Sequence, residues 1–154
     1  MSLVQDVLGD VQIARIPSRI ADYETLIDAA ESVFELKGRN LEDACKKHAQ
    51  NLMFYDVMLQ ECKTIEDTIK VKVDELEGRI YKRYNEQHQI KLGTNDIRQY
   101  VRGDPEYVTA VQILIEVVHT KRRLEAIVEA LKSMGWSLNN IVKLRIAQLE
   151  DVNL

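Results

Sequence analysis

Apolar residues recur along this chain at steps of three and four, the spacing that gathers them on one face of an α-helix, and no stretch alternates strictly as a half-buried strand does. The first stripe is Ile20, Tyr23, Ile27, Ala30 and Phe34. It predicts a helix that opens near Pro17-Ser18, because proline fits the first helical turn, and closes at Gly38. Residues before Pro17 form an arm or a short helix.

The second stripe is the longest. Leu41, Cys45, His48, Leu52, Tyr55, Leu59 and Cys62 alternate in steps of four and three, the spacing of a coiled-coil seam. The register shifts between Cys62 and Ile65 and continues through Ile69, Val73, Leu76 and Ile80. Asn40 is placed to cap this helix. As far as Tyr84 only Gly78 weakens it, by about 1 kcal/mol. A helix from Leu41 to Tyr84 is about 65 Å long. Such a seam outruns what one small domain folding back on itself is expected to cover, so it predicts partner helices from identical subunits.

A polar link, Asn85 to Gly93, separates this rod from a short helix capped by Thr94 or Asn95 and ending at Arg102. Gly103-Asp104-Pro105-Glu106 is the sharpest local signal: glycine ends one helix, aspartate caps the next, proline takes its first turn and glutamate favours its positive end. Tyr107, Ala110, Leu114, Val117, Leu124, Val128 and Leu131 then form a stripe on a helix that reaches Met134 and stops at Gly135. Ser137 caps a last helix carrying Leu138, Ile141, Val142, Ile146 and Leu149. The pattern describes an all-α fold in a single helical domain over 1–154. Residues 17–85 form an N-terminal part with a long coiled-coil-like helix, residues 94–154 a helical C-terminal part, and the whole assembles as an oligomer.

Composition supports the helices: among 154 residues there are six glycines and two prolines, and 30% are charged. Cys45 and Cys62 form no metal-ligand pattern, and their places on the seam predict buried thiols in a reducing compartment. Met1 to Asp10 has no basic n-region, so no signal peptide is expected. The longest apolar cluster, Val111 to Val118, is interrupted by Gln112 and Glu116 and falls short of the ~20 residues of a membrane span.

Charge adds a polarity. The net value is −4, yet residues 1–78 carry 9 basic and 16 acidic side chains whereas residues 79–154 carry 12 basic and 9 acidic. Within 79–102, Arg79, Lys82, Arg83, Lys91, Arg98 and Arg102 face only Glu86 and Asp96, enough for a local positive surface on an acidic protein.

Catalytic chemistry finds no foothold. His48, His88 and His119 lie outside ligand spacing of one another, the Glu42-Asp43 and Glu66-Asp67 pairs read as solvated charges, and no glycine-rich phosphate loop occurs. The sequence therefore predicts a protein that is not an enzyme and takes no metal or cofactor. The basic segment is more informative. Arg79, Lys82 and Arg83 share one helical face, with Tyr81 and Tyr84 in the same two turns. Cations for phosphates beside aromatic planes for bases suit single-stranded nucleic acid without sequence choice; the same cations also suit an ordinary solvated helix end. Lys121-Arg122-Arg123 is a second basic knot, able to meet phosphate or to pair with acidic residues of the first half across a subunit interface. Trp136 reads as a core anchor at a helix turn.

The stretch from Gly103-Asp104-Pro105, through the long apolar helix, to Leu131-Lys132-Ser133-Met134-Gly135-Trp136 and Ile141 resembles the UvsY family, the recombination mediators of tailed bacteriophages. In that family a [GA]-D dipeptide opens a helix that ends in Lys-Ser-x-Gly-aromatic, followed by an amphipathic helix. Leu52-Met53-Phe54-Tyr55 and the long helix ending in Arg79 to Tyr84 are similar to the family's N-terminal half, so the likeness covers roughly residues 45–147. Met134 stands where the family usually has arginine, aliphatic Leu144 or Ile146 where it has an aromatic, and Asn85-Glu86-Gln87 replaces its tyrosine-glycine turn.

The resemblance implies a protein of the infected bacterial cytoplasm that serves DNA recombination and repair. It binds single-stranded DNA as a ring of six or seven copies, destabilises the phage single-strand-binding protein there and helps a RecA-type recombinase load. It places DNA contacts near the end of the long helix, at Arg79, Lys82 and Arg83. The competing class is a structural coiled-coil adaptor or viral assembly protein with no nucleic-acid role, which the acidic balance suits.

Overall fold

The computed structural model describes residues 15–35, 40–87 and 93–151, and among them every regular element is helical. Helix α1 (Ile16–Asp28) tightens into a 3₁₀ segment (Ala29–Val33). Helix α2 (Leu41–Gln87), helix α3 (Thr94–Gly103) and helix α4 (Pro105–Asp151) follow. The stop expected at Gly38 lies outside the described residues. No described helix is long and apolar enough to cross a membrane.

Local chemistry sets the starts of α2 and α4 where the sequence places them. The Asp43 amide donates to Asn40 Oδ1 at 2.8 Å, and Asn40 Nδ2 donates to the Asp43 carboxylate at 2.8 Å. The Glu106 amide donates to Asp104 Oδ1 at 3.0 Å while Pro105 fills the first helical position. Helix α3 differs slightly. Its cap is Gly93 rather than Thr94 or Asn95, because the Asp96 carboxylate reaches back to accept the Gly93 amide at 3.3 Å.

The larger difference is in α4. It runs unbroken through Gly135, and the Ser137 hydroxyl bonds the Ser133 carbonyl four residues back at 3.2 Å instead of opening a new helix. The reason is register. Ala110, Val117, Leu124, Leu131 and Leu138 are all buried and recur every seven residues, so the apolar stripe passes Gly135 without a slip. A single glycine, at about 1 kcal/mol, does not outweigh that packing.

The chain divides into two compact units. In the unit formed by residues up to Ala21 with Cys62–Thr120, α2 and α4 run antiparallel. Cys62 Sγ lies 3.6 Å from the Val117 carbonyl, and Arg83, later in α2, pairs with Asp104, just before the start of α4. Ile80, Ile97 and Val101 form a buried cluster, with Leu76, Tyr81, Tyr84 and Tyr107 packed against it. Each such aliphatic side chain contributes about 1.5–3 kcal/mol by leaving water, which is how three helices close around one point.

In the unit formed by Asp22–Glu61 and Lys121–Leu154, α2 and α4 again run antiparallel, and Gly135 meets His48. The Tyr23 hydroxyl donates to Glu61, and the Tyr55 hydroxyl donates to the Leu26 carbonyl at 3.2 Å. Tyr23, Ile27 and Ala30 of the α1 stripe are buried here, with Phe34 half-buried.

From Tyr55 to Ile80 most of the α2 seam is covered within the chain, whereas Leu41, Cys45, His48, Leu52 and Leu76 are half-buried. Tyr55, Leu59, Cys62, Ile65, Ile69, Val73 and Ile80 are buried, because within each unit a segment of α4 lies against α2. The length of α2 does not by itself call for partner subunits. Cys62 is fully buried as expected, whereas Cys45 is only half-buried. Glu66 is buried rather than solvated; it lies beside Ile65 on the seam and meets Lys70 at 2.7 Å. Trp136 is no core anchor. It is 70% exposed, because α4 turns Leu131 and Leu138 inward and leaves the indole, with Ile141, Leu144 and Ile146, facing water.

Candidate nucleic-acid interface

The last turns of α2 carry the basic residues, and the start of α4 carries acids opposite them. Arg79 Nη2 meets Glu106 Oε2 at 2.8 Å. Arg83 is divided: one nitrogen bonds Asp104 and the other reaches Glu106 Oε1 at 3.5 Å. Lys82, on the same face, is 74% exposed and held only loosely by Glu86 of its own helix at 3.8 Å.

Asp104 organises this corner. It is only 3% exposed, yet its carboxylate accepts from the Glu106 amide, from Arg83 and, at 3.3 Å, from the Tyr84 hydroxyl. A buried carboxylate is tolerable only with such partners, and its place at a helix N-terminus adds to them. Partial burial lowers the proton affinity of the Arg83 guanidinium, but the charge of Asp104 and the hydrogen bond and charge of Glu106 outweigh it, leaving its pKa above the ordinary arginine value. Arg83 is thus as much a clamp between α2 and α4 as a cation presented to solvent.

The aromatic residues sort in the same way. Tyr81 and Tyr84 are half-buried against Ile80, Ile97 and Val101. Tyr84 stacks on Tyr100 of α3, ring centres 5.5 Å apart and planes at 23°, and the Arg83 guanidinium lies 5.6 Å from its ring centre. Tyr100, 48% exposed, is the more accessible ring. The sequence pattern does not single it out, although its neighbours Arg98 and Arg102, both exposed, belong to the basic run there.

The second basic knot lies in the other unit. Arg123 bonds Glu24 and, at 2.6 Å, Asp28, both on α1. The hydrogen bond it donates to Asp28 raises its pKa, against burial. The alternative of pairing with acids of the first half is therefore realised at Arg123, but inside one chain and not across subunits. Lys121 is half-buried and Arg122 exposed.

Sequence reasoning missed the acids. Asp104 and Glu106 were legible as helix-start residues, but their pairing with side chains 21 to 27 positions earlier is a long-range fact. Among the described residues no three or more His, Cys, Asp or Glu side chains gather as a metal site would. No protein-family model, curated protein or solved structure matches the chain.

Proposed function

We propose that this chain is a recombination mediator of the UvsY type. It binds single-stranded DNA without sequence choice, loosens single-strand-binding protein from it and helps a RecA-type recombinase load. The observation that carries the reading is the face at the end of α2, where Arg79 and Lys82, 65% and 74% exposed, lie on adjacent turns near the stacked Tyr84–Tyr100 pair. Adjacent phosphates of one strand can meet both cations, and Tyr100, 48% exposed, offers a ring to a base. The action is binding alone: no bond is made or broken, and no metal or nucleotide is needed.

Self-assembly belongs to the same proposal. Met53, Phe54, Val57, Trp136, Ile141 and Leu144 are large apolar residues left exposed, and surface of that kind favours contact with further copies. A closed ring, six or seven copies by the resemblance, would repeat the basic face along a strand. The infected bacterial cytoplasm is the setting proposed with it.

One observation favours the competing reading, a coiled-coil adaptor or viral assembly protein. Arg79, Arg83 and Arg123 each hold carboxylates of their own chain, as cations with a purely architectural role do. A fluorescence anisotropy titration with labelled oligo-dT at two salt concentrations separates the two. Binding that weakens as salt rises supports the mediator, and no binding at either concentration leaves the adaptor. Light scattering on the same sample returns a multiple of 17.8 kDa if the chain self-assembles.

A further inference from the structure

We infer that the Glu106 carboxylate stands in the free protein where a strand phosphate will sit, so that single-stranded DNA engages Arg79 and Arg83 by displacing it. The inference rests on the single-strand reading above and gives that face a built-in competitor.

The geometry distinguishes the two acids at this corner. Asp104 is buried, fixed by a backbone amide, a guanidinium and a phenol, and its removal would uncap α4. Glu106 is half exposed and its carboxylate is tied only through side chains, to Arg79 at 2.8 Å and to Arg83 at 3.5 Å. Its two oxygens each take one guanidinium. Two guanidinium groups converging on two oxygens is the arrangement that suits a phosphodiester. Both anions carry one negative charge, so either can be paired by the two guanidinium groups, with the displaced carboxylate turned to water. The first turn of α4 favours whichever anion occupies the place. A competitor held on a flexible side chain weakens DNA binding modestly, and keeps it reversible on a face whose strand must pass to another protein.

The test compares the whole parent chain with Glu106→Gln, Glu106→Asp and Glu77→Gln in anisotropy titrations with labelled oligo-dT at ~0.15 M salt, with circular dichroism on each. Glu77 is an exposed acid of α2 two residues before Arg79, so its variant gives the same change in net charge without vacating the arginine pair. Glu106→Gln is expected to bind about fivefold tighter than the parent, as removal of a competing surface ion pair allows. Glu106→Asp, too short to span both arginines, is expected to fall between, and Glu77→Gln to stay within about twofold of the parent. A parent that binds and a Glu106→Gln no tighter, or an equal gain from Glu77→Gln, overturns the inference and leaves the single-strand reading standing. Failure of every protein to bind removes both. If Glu106→Gln loses helix content, Glu106→Asp, which keeps the acid on the first turn of α4, decides alone: binding equal to the parent overturns the inference.

Discussion

Gly135 of α4 lies against His48 of α2 so closely that a Cβ on the glycine would fall 2.6 Å from the imidazole Nε2. The missing side chain is what lets the two helices approach there. His48 Nδ1 is buried with no hydrogen-bond partner among the described residues. Gly78 of α2 offers the opposite case, with nothing within 4 Å of an added Cβ.

Alanine at the two glycines is therefore expected to act in opposite ways. Gly78→Ala should stabilise by about 0.8–1 kcal/mol through helix propensity alone. Gly135→Ala should lie about 1–3 kcal/mol below that gain, the cost of forcing a packed helix contact. Urea denaturation followed by circular dichroism measures both. In a His48→Ala background the deficit at 135 should vanish; its persistence would mean that the crowding is backbone against backbone.

How much of this was legible in the sequence depends on the range of the interaction. The Asn40 cap, the Gly103-Asp104-Pro105-Glu106 junction and the stripe through Leu59, Cys62, Ile65 and Ile69 are written in neighbouring residues or in periodicity, and they stand as read. The break expected at Gly135 does not occur because a stop and a close helix contact use the same residue, and only His48, 87 positions away, tells them apart. Trp136 follows from that: without a turn there is nothing for it to anchor. In the basic face, position was readable, but the sharing of Arg83 between Asp104 and Glu106 required the antiparallel packing of α2 on α4.

Asp104→Ala removes a helix cap and leaves Arg83 without its buried partner. It is expected to lower stability by about 1–3 kcal/mol. Asp96→Ala, at an exposed cap with a 3.3 Å bond, should cost under about 1 kcal/mol. Thermal melts of the two variants side by side check the ranking, and equal losses would show that burial at Asp104 adds nothing.

Tyr55 gives a pH dependence. Burial raises its pKa above 10.0, so the folded chain holds that proton more tightly than the unfolded chain. Its contribution is fully present below the unfolded value and is lost as pH rises through the higher folded one. Stability should accordingly be lower well above pH 10 than at pH 9, and Tyr55→Phe should make the fall shallower. At neutral pH the same variant gives up the bond to Leu26 and should lose about 0.5–1.5 kcal/mol. Urea midpoints at the two pH values settle it: an unchanged slope in Tyr55→Phe assigns the alkaline loss to other groups.

The cations at the end of α2 should separate by role. Arg79→Ala with Lys82→Ala should weaken oligo-dT binding and flatten the slope of log affinity against log salt by about one for each phosphate no longer neutralised, while the melting temperature holds. Arg83→Ala should lower the melting temperature as well, because Asp104 stays buried without its guanidinium. Anisotropy and thermal melts on the same preparations distinguish these outcomes, and unaltered DNA binding in the double variant would place the strand elsewhere, with Arg98 and Arg102 of α3 and Lys121 and Arg122 of α4 next to be tried.

The two thiols fall one to each unit: Cys62 in the unit with α3, fully enclosed, and Cys45 in the unit with the 3₁₀ segment, half-covered. An alkylating reagent can reach Cys62 only when its surroundings open, so its rate of modification clocks that opening. Cys45 keeps time for the other unit on a faster scale. With no engineered label, mass spectrometry of a pulse-alkylated sample can therefore tell whether a strand of DNA tightens one half of the chain or both.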